Sequence, residues 1–322
     1  MPDFAPRGSH TAAMPCGGRQ LLIAVHKLSK CYGRATAVAC VALALRSGEI
    51  WGFVGANGAG KTTTLRMLAG ILKPDGGSGQ VLGFDLQREA AAIRERVGYM
   101  SQRLSLYPEL SVFENLRFRA AVYGLRNPRA VAESAICEFG LVRWARSPAG
   151  FLSGGWARRL QLAASLLHSP GLVLLDEPTA GLDTAARQEV WRRVEDLAAA
   201  GAGVIVCTHD LGEAERCSHT ALFANGKVIT AGASAEITPA RPRPRFLCAV
   251  LTWRRLAKDL TAVSGVLASC PQGERLRVVA DPLAELDLRR FAATHAASLT
   301  RAKPRLEDAI LAWSLPTDRH RI

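Results

Sequence analysis

Residues 55–62 read Gly-Ala-Asn-Gly-Ala-Gly-Lys-Thr, a fit to the pattern G-x-x-x-x-G-K-[ST]. Few local patterns constrain a fold more, because the chemistry needs a strand before the loop and a helix after it. Glycines let a backbone fold tightly around an anion with its N–H groups turned inward. The following helix adds the positive end of its dipole. Lys61 is placed to reach the outer phosphates and the Thr62 hydroxyl to ligate Mg²⁺. Residues 49–54 read as a short buried strand and residues 63–72 as a helix, so the required order is present. The bland alternative, a glycine-rich turn that binds nothing, does not account for Lys-Thr at this spacing. The candidate phosphate-binding set is Gly55, Ala56, Asn57, Gly58, Ala59, Gly60, Lys61, Thr62 and Thr63.

The neighbouring pattern fits a parallel sheet. Residues 172–177 are a continuous apolar run ending in Asp176-Glu177, as suits a central strand covered on both faces. Residues 183–200 read as a helix with Val190, Val194 and Leu197 on one face. Residues 203–207 read as another buried strand, followed by Thr208-His209-Asp210. Alternating strands and helices predict ligand groups at the carboxyl ends of the strands.

Further strands are expected at 21–25, 35–45, 81–84 and 97–100, with Tyr32-Gly33 a turn, 73–79 a loop and 86–96 a helix. From 107 to 167 the pattern turns helical, and Ser111 with Glu114 has capping-box spacing. Residues 1–19, rich in Pro, Gly and Ser, read as a disordered N-terminal tail, with Met14 an alternative start. The basic, Pro-rich stretch 240–245 marks a boundary. Beyond it, strand-like runs at 246–251, 260–267 and 275–280 and helical stretches at 256–260 and 286–297 predict a small α+β appendage.

The 322 residues are 48% hydrophobic, enough for a packed core, yet no apolar run approaches the roughly 20 residues of a membrane helix. No signal-peptide apolar core opens the chain, so a soluble or peripheral protein is expected. The net charge of +13 leaves nucleic acid, an anionic membrane or a polyphosphate ligand open as partners, and compositional bias with no function competes with all three. The 8 cysteines form no C-x-x-C pair and several lie in apolar runs, which predicts free thiols in a reducing compartment.

In chain order these motifs resemble the ATP-binding cassette (ABC) ATPases, the nucleotide-binding subunits of ABC transporters, over about residues 20–238. The resemblance implies an α/β phosphate-loop NTPase (RecA-like) parallel-sheet core with an antiparallel β part and an inserted helical subdomain at about 103–170. A C-terminal accessory domain would span 239–322. Asp176 would hold Mg²⁺, together with Thr62 and Gln102, and Glu177 would polarise the attacking water as general base. The stretch Leu152-Ser153-Gly154-Gly155-Trp156 is similar to the family signature, in which Ser153, Gly154 and Gly155 face the γ-phosphate held by another subunit. The usual fifth residue is Gln; some drug-exporter members carry Trp, as here. His209 would contact the γ-phosphate, Gln102 would touch Mg²⁺ or the lytic water, and Asp183 would lie in the loop crossing the dimer interface. Tyr32 resembles the aromatic that stacks on adenine, although a Tyr before Gly is also a common turn residue.

One loop and one signature per chain imply a head-to-tail homodimer or heterodimer sandwiching two ATP molecules. Stretches 99–102, 105–108, 114–116 and 304–310 are similar to ATPase subunits of ABC-2 type, multidrug-exporter-like systems. The implied partner is a polytopic membrane permease on a separate chain, with the ATPase at the inner face of the cell membrane and no specific nucleic acid. A soluble ABC ATPase acting on nucleic acid or ribosomes is the rival. Against it stand the single cassette and the lack of a coiled-coil insertion. A nucleotide kinase is a third reading; the signature, Asp176-Glu177 and His209 argue against it.

Overall fold

The structure, a computed structural model, describes residues 19–234, 247–250, 259, 260, 262–272, 275–295, 297–302 and 308. Strands β1 (Leu21–Tyr32) and β2 (Ala35–Arg46) form a long antiparallel hairpin turning at Gly33. Then follow β3 (Ile50–Val54), α1 (Lys61–Leu68), β4 (Gly76–Val81), β5 (Phe84–Asp85), α2 (Ala90–Arg96) and β6 (Val97–Met100). Helices α3 (Val112–Val122), α4 (Pro128–Glu138) and α5 (Gly154–Leu166) come next, with two short 3₁₀ turns between the last two. The sheet resumes with β7 (Leu172–Asp176), α6 (Thr184–Ala199), β8 (Gly203–Thr208), the single turn α7 (Leu211–Ala214), β9 (His219–Ala224) and β10 (Lys227–Ala233).

The central sheet has the order β10-β9-β3-β8-β7-β6. Its strands from β9 to β6 run parallel, and β10 closes one edge antiparallel. Every residue of β3, β7 and β8 is buried, as apolar runs without polar alternation require. Side chains of a strand alternate between faces, and the two cores divide accordingly. Leu172, Leu174, Ile205 and Cys207 pack with α1 and the antiparallel sheet. Val173, Leu175, Val204 and Val206 pack with α3, α4, α5 and Trp191 of α6. Each fully buried Leu or Val contributes about 1.5–3 kcal/mol, so this two-sided burial fixes the register of the strands whose ends carry the site.

The antiparallel sheet has the order β2-β1-β4-β5. It corrects the expected loop at 73–79, because residues 76–79 belong to β4 and pair with β1. A Cβ at Gly79 would lie 2.3 Å from the Ala24 carbonyl oxygen, so the turn-like glycines serve a close strand approach instead. The strand expected at 81–84 is divided by a turn at Leu82-Gly83 into β4 and β5. Helices α1 and α2 are shorter than expected, and β1 is longer.

A third, antiparallel sheet joins β11 (Leu247–Val250), β12 (Val266–Gln272), β13 (Arg275–Ala280) and β14 (Ser298–Arg301) in the order β12-β13-β11-β14. Helix α8 (Glu285–Thr294) lies between β13 and β14 in sequence, and Leu288 shares a core with Leu276 and Val278. The strand expected at 260–267 begins only at Val266, after the tight turn at Gly265. Residues 1–18, the basic stretch 240–245 and most of 304–310 lie outside the described residues.

Candidate active site

The loop between β3 and α1 lines a cavity of about 450 Å³ with Ala37, Asn57, Gly58, Gly60, Lys61, Gln102 and Glu177 among its walls. Gly55 has φ 154°, and a Cβ there would sit 2.2 Å from the Phe223 carbonyl oxygen of β9. The first position of the loop is thus restricted to glycine by backbone packing. Lys61 is 5% exposed, and its Nζ donates to the carbonyls of Gly55 at 2.6 Å and Ala56 at 3.0 Å. Burial pushes its pKa down, while Cys207, Glu177 and Asp176 pull it up. A buried ammonium held only by two backbone carbonyls is suited to an anionic ligand.

Asp176 ends β7 with 0% exposure. The Thr62 hydroxyl donates to its Oδ1 at 3.0 Å, whereas Oδ2 is buried with no partner among the described residues. Burial raises its pKa; the Thr62 hydrogen bond lowers it, Glu177 raises it, and Arg66 and Lys61 lower it. A desolvated carboxylate oxygen without a donor, beside the Thr62 hydroxyl, is a hard-oxygen pair that fits Mg²⁺, and Gln102 lines the same cavity as Thr62. The implied metal is therefore compatible with the residues present.

Glu177 has φ 49°, and its N–H donates to the Cys207 carbonyl at 3.0 Å. That bond ties the residue after β7 to the end of β8, the strand that His209 follows. The Glu177 carboxylate and His209 Nδ1 meet at 3.0 Å. Parallel strand ends thus bring together Lys61, Thr62, Asp176, Glu177, Gln102 and His209.

Five expected residues lie outside this cavity. Tyr32, half-exposed, ends β1 and does not line this cavity. Its hairpin is braced by Asp75, which accepts from Lys30 Nζ at 2.7 Å and the Cys31 N–H at 2.8 Å. Ser153 is the N-cap of α5 without a side-chain cap bond, and Gly154 and Gly155 open that helix apart from the cavity. Asp183 caps α6, accepting from the Ala186 N–H at 2.8 Å. Trp156 turns into its own chain, with its ring 6.0 Å from Trp144 and 4.5 Å from the Arg159 guanidinium.

Other residues of the site were not foreseen. Arg158 of α5 donates to the carbonyls of Ser101 at 3.2 Å and of Gln102. Gln161, one turn on, donates to the Ser101 and Arg103 carbonyls at 3.1 and 3.0 Å. The loop carrying Gln102 is therefore held by the helix that begins at Gly154. Burial lowers the Arg158 pKa, and Asp176 and Glu177 raise it. A polar pair on an otherwise buried helix face was the available signal, since Arg158 and Gln161 lie at i,i+3 among Ala157, Leu160 and Leu162.

Residues 38–180 match the family described as ABC transporter. The "Nod factor export ATP-binding protein I" of Ralstonia nicotianae is 39% identical over 225 residues, covering 68% of this chain and 70% of that one. The chain belongs to the ABC transporter ATP-binding proteins. The "Probable multidrug ABC transporter ATP-binding protein YbhF" of Escherichia coli (strain K12) is 41% identical over 221 residues, covering 68% of this chain. The matched stretch spans only 38% of that relative's length. A solved dimeric ATP-binding cassette, in a post-hydrolysis state with ADP and Pi, superposes with a TM-score of 0.62 at 25% identity. It covers 66% of this chain and 98% of its own. No helix among the described residues is long and apolar enough to cross a membrane.

Proposed function

We propose that this chain is the ATP-hydrolysing subunit of an ABC-2 type exporter, with drug efflux as the transport task. The observation that carries the reading is the Glu177–His209 contact of 3.0 Å, set beside the phosphate loop and the unpartnered oxygen of Asp176. Asp176, Thr62 and Gln102 would hold Mg²⁺, which supplies charge neutralisation of the outer phosphates when bound. The loop N–H groups and Lys61 orient the triphosphate. Glu177 takes a proton from water as its oxygen attacks the γ-phosphorus, and the bond to the β-bridging oxygen breaks, leaving ADP. His209 contacts the γ-phosphate and keeps Glu177 in place. Tyr32 stacks on adenine.

Ser153, Gly154 and Gly155 start a helix away from this cavity, so they can serve a second chain's ATP in a head-to-tail dimer. The Asp183 loop lies at that interface. The dimeric relative supports this arrangement. In this reading residues 20–238 form the nucleotide-binding domain and 103–170 its helical subdomain. Exposed Leu104, Tyr107 and Phe118 there offer an apolar face to a separate membrane permease, at the inner face of the membrane. The accessory domain is 239–322. The partner is tested by purifying tagged Glu177→Gln from solubilised native membranes with ATP and identifying what comes with it. A polytopic protein is expected; recovery with ribosomes or DNA and no membrane partner would overturn the exporter reading.

A further inference from the structure

Glu213 is a buried carboxylate that the hydrolytic reading leaves without a task. It lies in α7, four residues after His209, with 3% of its surface exposed. Thr208 Oγ1 donates to its Oε2 at 2.6 Å, and Thr179 Oγ1 donates to its Oε1. Arg187 Nε is 3.9 Å from Oε1, and Arg187 Nη1 donates to Asp210 Oδ2 at 2.6 Å. A buried charge persists in a fold only when it is paired and hydrogen-bonded.

These partners flank the reacting groups. Thr179 comes two residues after Glu177, Thr208 immediately before His209 and Asp210 immediately after it. Arg187 is in the first turn of α6, the helix that Asp183 caps. Meanwhile the Glu177–His209 contact has weak support of its own. Glu177 holds a left-handed backbone that side-chain-bearing residues rarely adopt, and the His209 side chain is 62% exposed. A strained residue and a loosely packed one keep a 3.0 Å contact only where the surroundings over-determine it.

We propose that Glu213 is a positioning residue for ATP hydrolysis. Its carboxylate locks the segments after β7 and β8 into one register, through the two threonine hydroxyls. Glu177 and His209 then address the same point. Arg187, beside Glu213 and bonded to Asp210, extends the lock to the helix capped by Asp183. The hydrogen bonding suits a carboxylate: Thr208 Oγ1 already accepts the Asp210 N–H at 3.0 Å, so its own proton is free to go to Glu213. Glu213 touches no reacting atom. The proposal rests on the reading that Glu177 and His209 carry hydrolysis.

The test is steady-state ATP hydrolysis by the full chain with Mg²⁺, alongside ATP affinity by calorimetry and melting temperature. The variants are Glu213→Ala, Glu213→Gln, Thr179→Val and Thr208→Val, with Glu177→Gln and His209→Ala in parallel. Glu213→Ala is expected to lose kcat by about a hundredfold, the scale of a 1 Å misplacement. Its ATP affinity should stay within about threefold, because the phosphate loop is untouched. Glu213→Gln keeps the volume and one acceptor and should recover most of that loss, and each Val variant should fall part-way. If kcat is unchanged, or falls only in proportion to ATP affinity and melting temperature, the positioning role is overturned. Should Glu213→Ala fail to fold, the Val variants decide, and wild-type kcat in both overturns the proposal. Wild-type hydrolysis in Glu177→Gln and His209→Ala would instead overturn the underlying site. Their loss with an unaffected Glu213→Ala would overturn the positioning alone.

Discussion

Replacing Asp176 by Asn is expected to make the ligand-free fold more stable while removing its response to Mg²⁺-ATP. Asp176 is fully buried and its Oδ2 has no partner among the described residues. A desolvated, unsatisfied acceptor costs about 1–3 kcal/mol, and a charged one more. Lys61 and Arg66 offset part of this, yet burial dominates and the folded pKa stands above its ordinary 3.8. The folded state thus holds the Asp176 proton more readily than the unfolded chain does. The penalty is full at neutral pH and fades as pH falls through the raised pKa toward 3.8. A neutral carboxamide escapes it and can still accept from Thr62. The expected gain at pH 7 is about 1–3 kcal/mol, or roughly 2–10 °C in Tm. Calorimetric melting without nucleotide measures it, and the two proteins should converge in acid. With ATP and Mg²⁺ at about 100 times Kd the wild type gains about 2.7 kcal/mol, and the variant should not. A variant that melts several degrees lower without ligand would refute the reasoning, because Oδ2 would then have an internal partner.

Lys61→Ala should abolish ATP binding in calorimetry, and unchanged affinity would count against the phosphate loop. Gly55→Ala should cost about 1–3 kcal/mol of stability and weaken ATP binding, since the new Cβ meets the Phe223 carbonyl at 2.2 Å. Denaturant melts and ATP titration check both effects. Arg158→Ala should lower kcat about tenfold with little change in ATP affinity, as the Gln102 carbonyl loses its guanidinium while Gln161 still holds Ser101 and Arg103. Equal losses of both would point to a global defect.

What the sequence revealed about this site follows from where each residue's determinants lie. Lys61, Thr62, Asp176 and Glu177 sit beside short apolar strands, and a buried run followed by a loop or carboxylate is a local signal. His209 follows another such strand. Strand pairing across the antiparallel sheet was less legible. Residues 76–79 look like a turn by composition, and only the approach of β1 turns their glycines into a strand. Strands β9 and β10 were missed altogether, because their apolar stretches, Ala221-Leu222-Phe223 and Val228-Ile229, are short and depend on neighbours for pairing. Glu213 was unreadable for the same reason, and the Arg158–Gln161 spacing marks a polar pair without showing what it holds. Each gains its meaning from groups brought in across the fold: Thr179 lies 34 positions from Glu213, and the Gln102 carbonyl lies 56 from Arg158.

In the proposed mechanism Glu177 activates water beside a correctly bound triphosphate. Hydrolysis by Glu177→Gln, measured with ATP affinity and association state in one preparation, tests this most directly. Affinity near wild type, a loss of turnover of about 10²–10⁴ and accumulation of an ATP-bound dimer are expected. Turnover near the wild-type rate would contradict it.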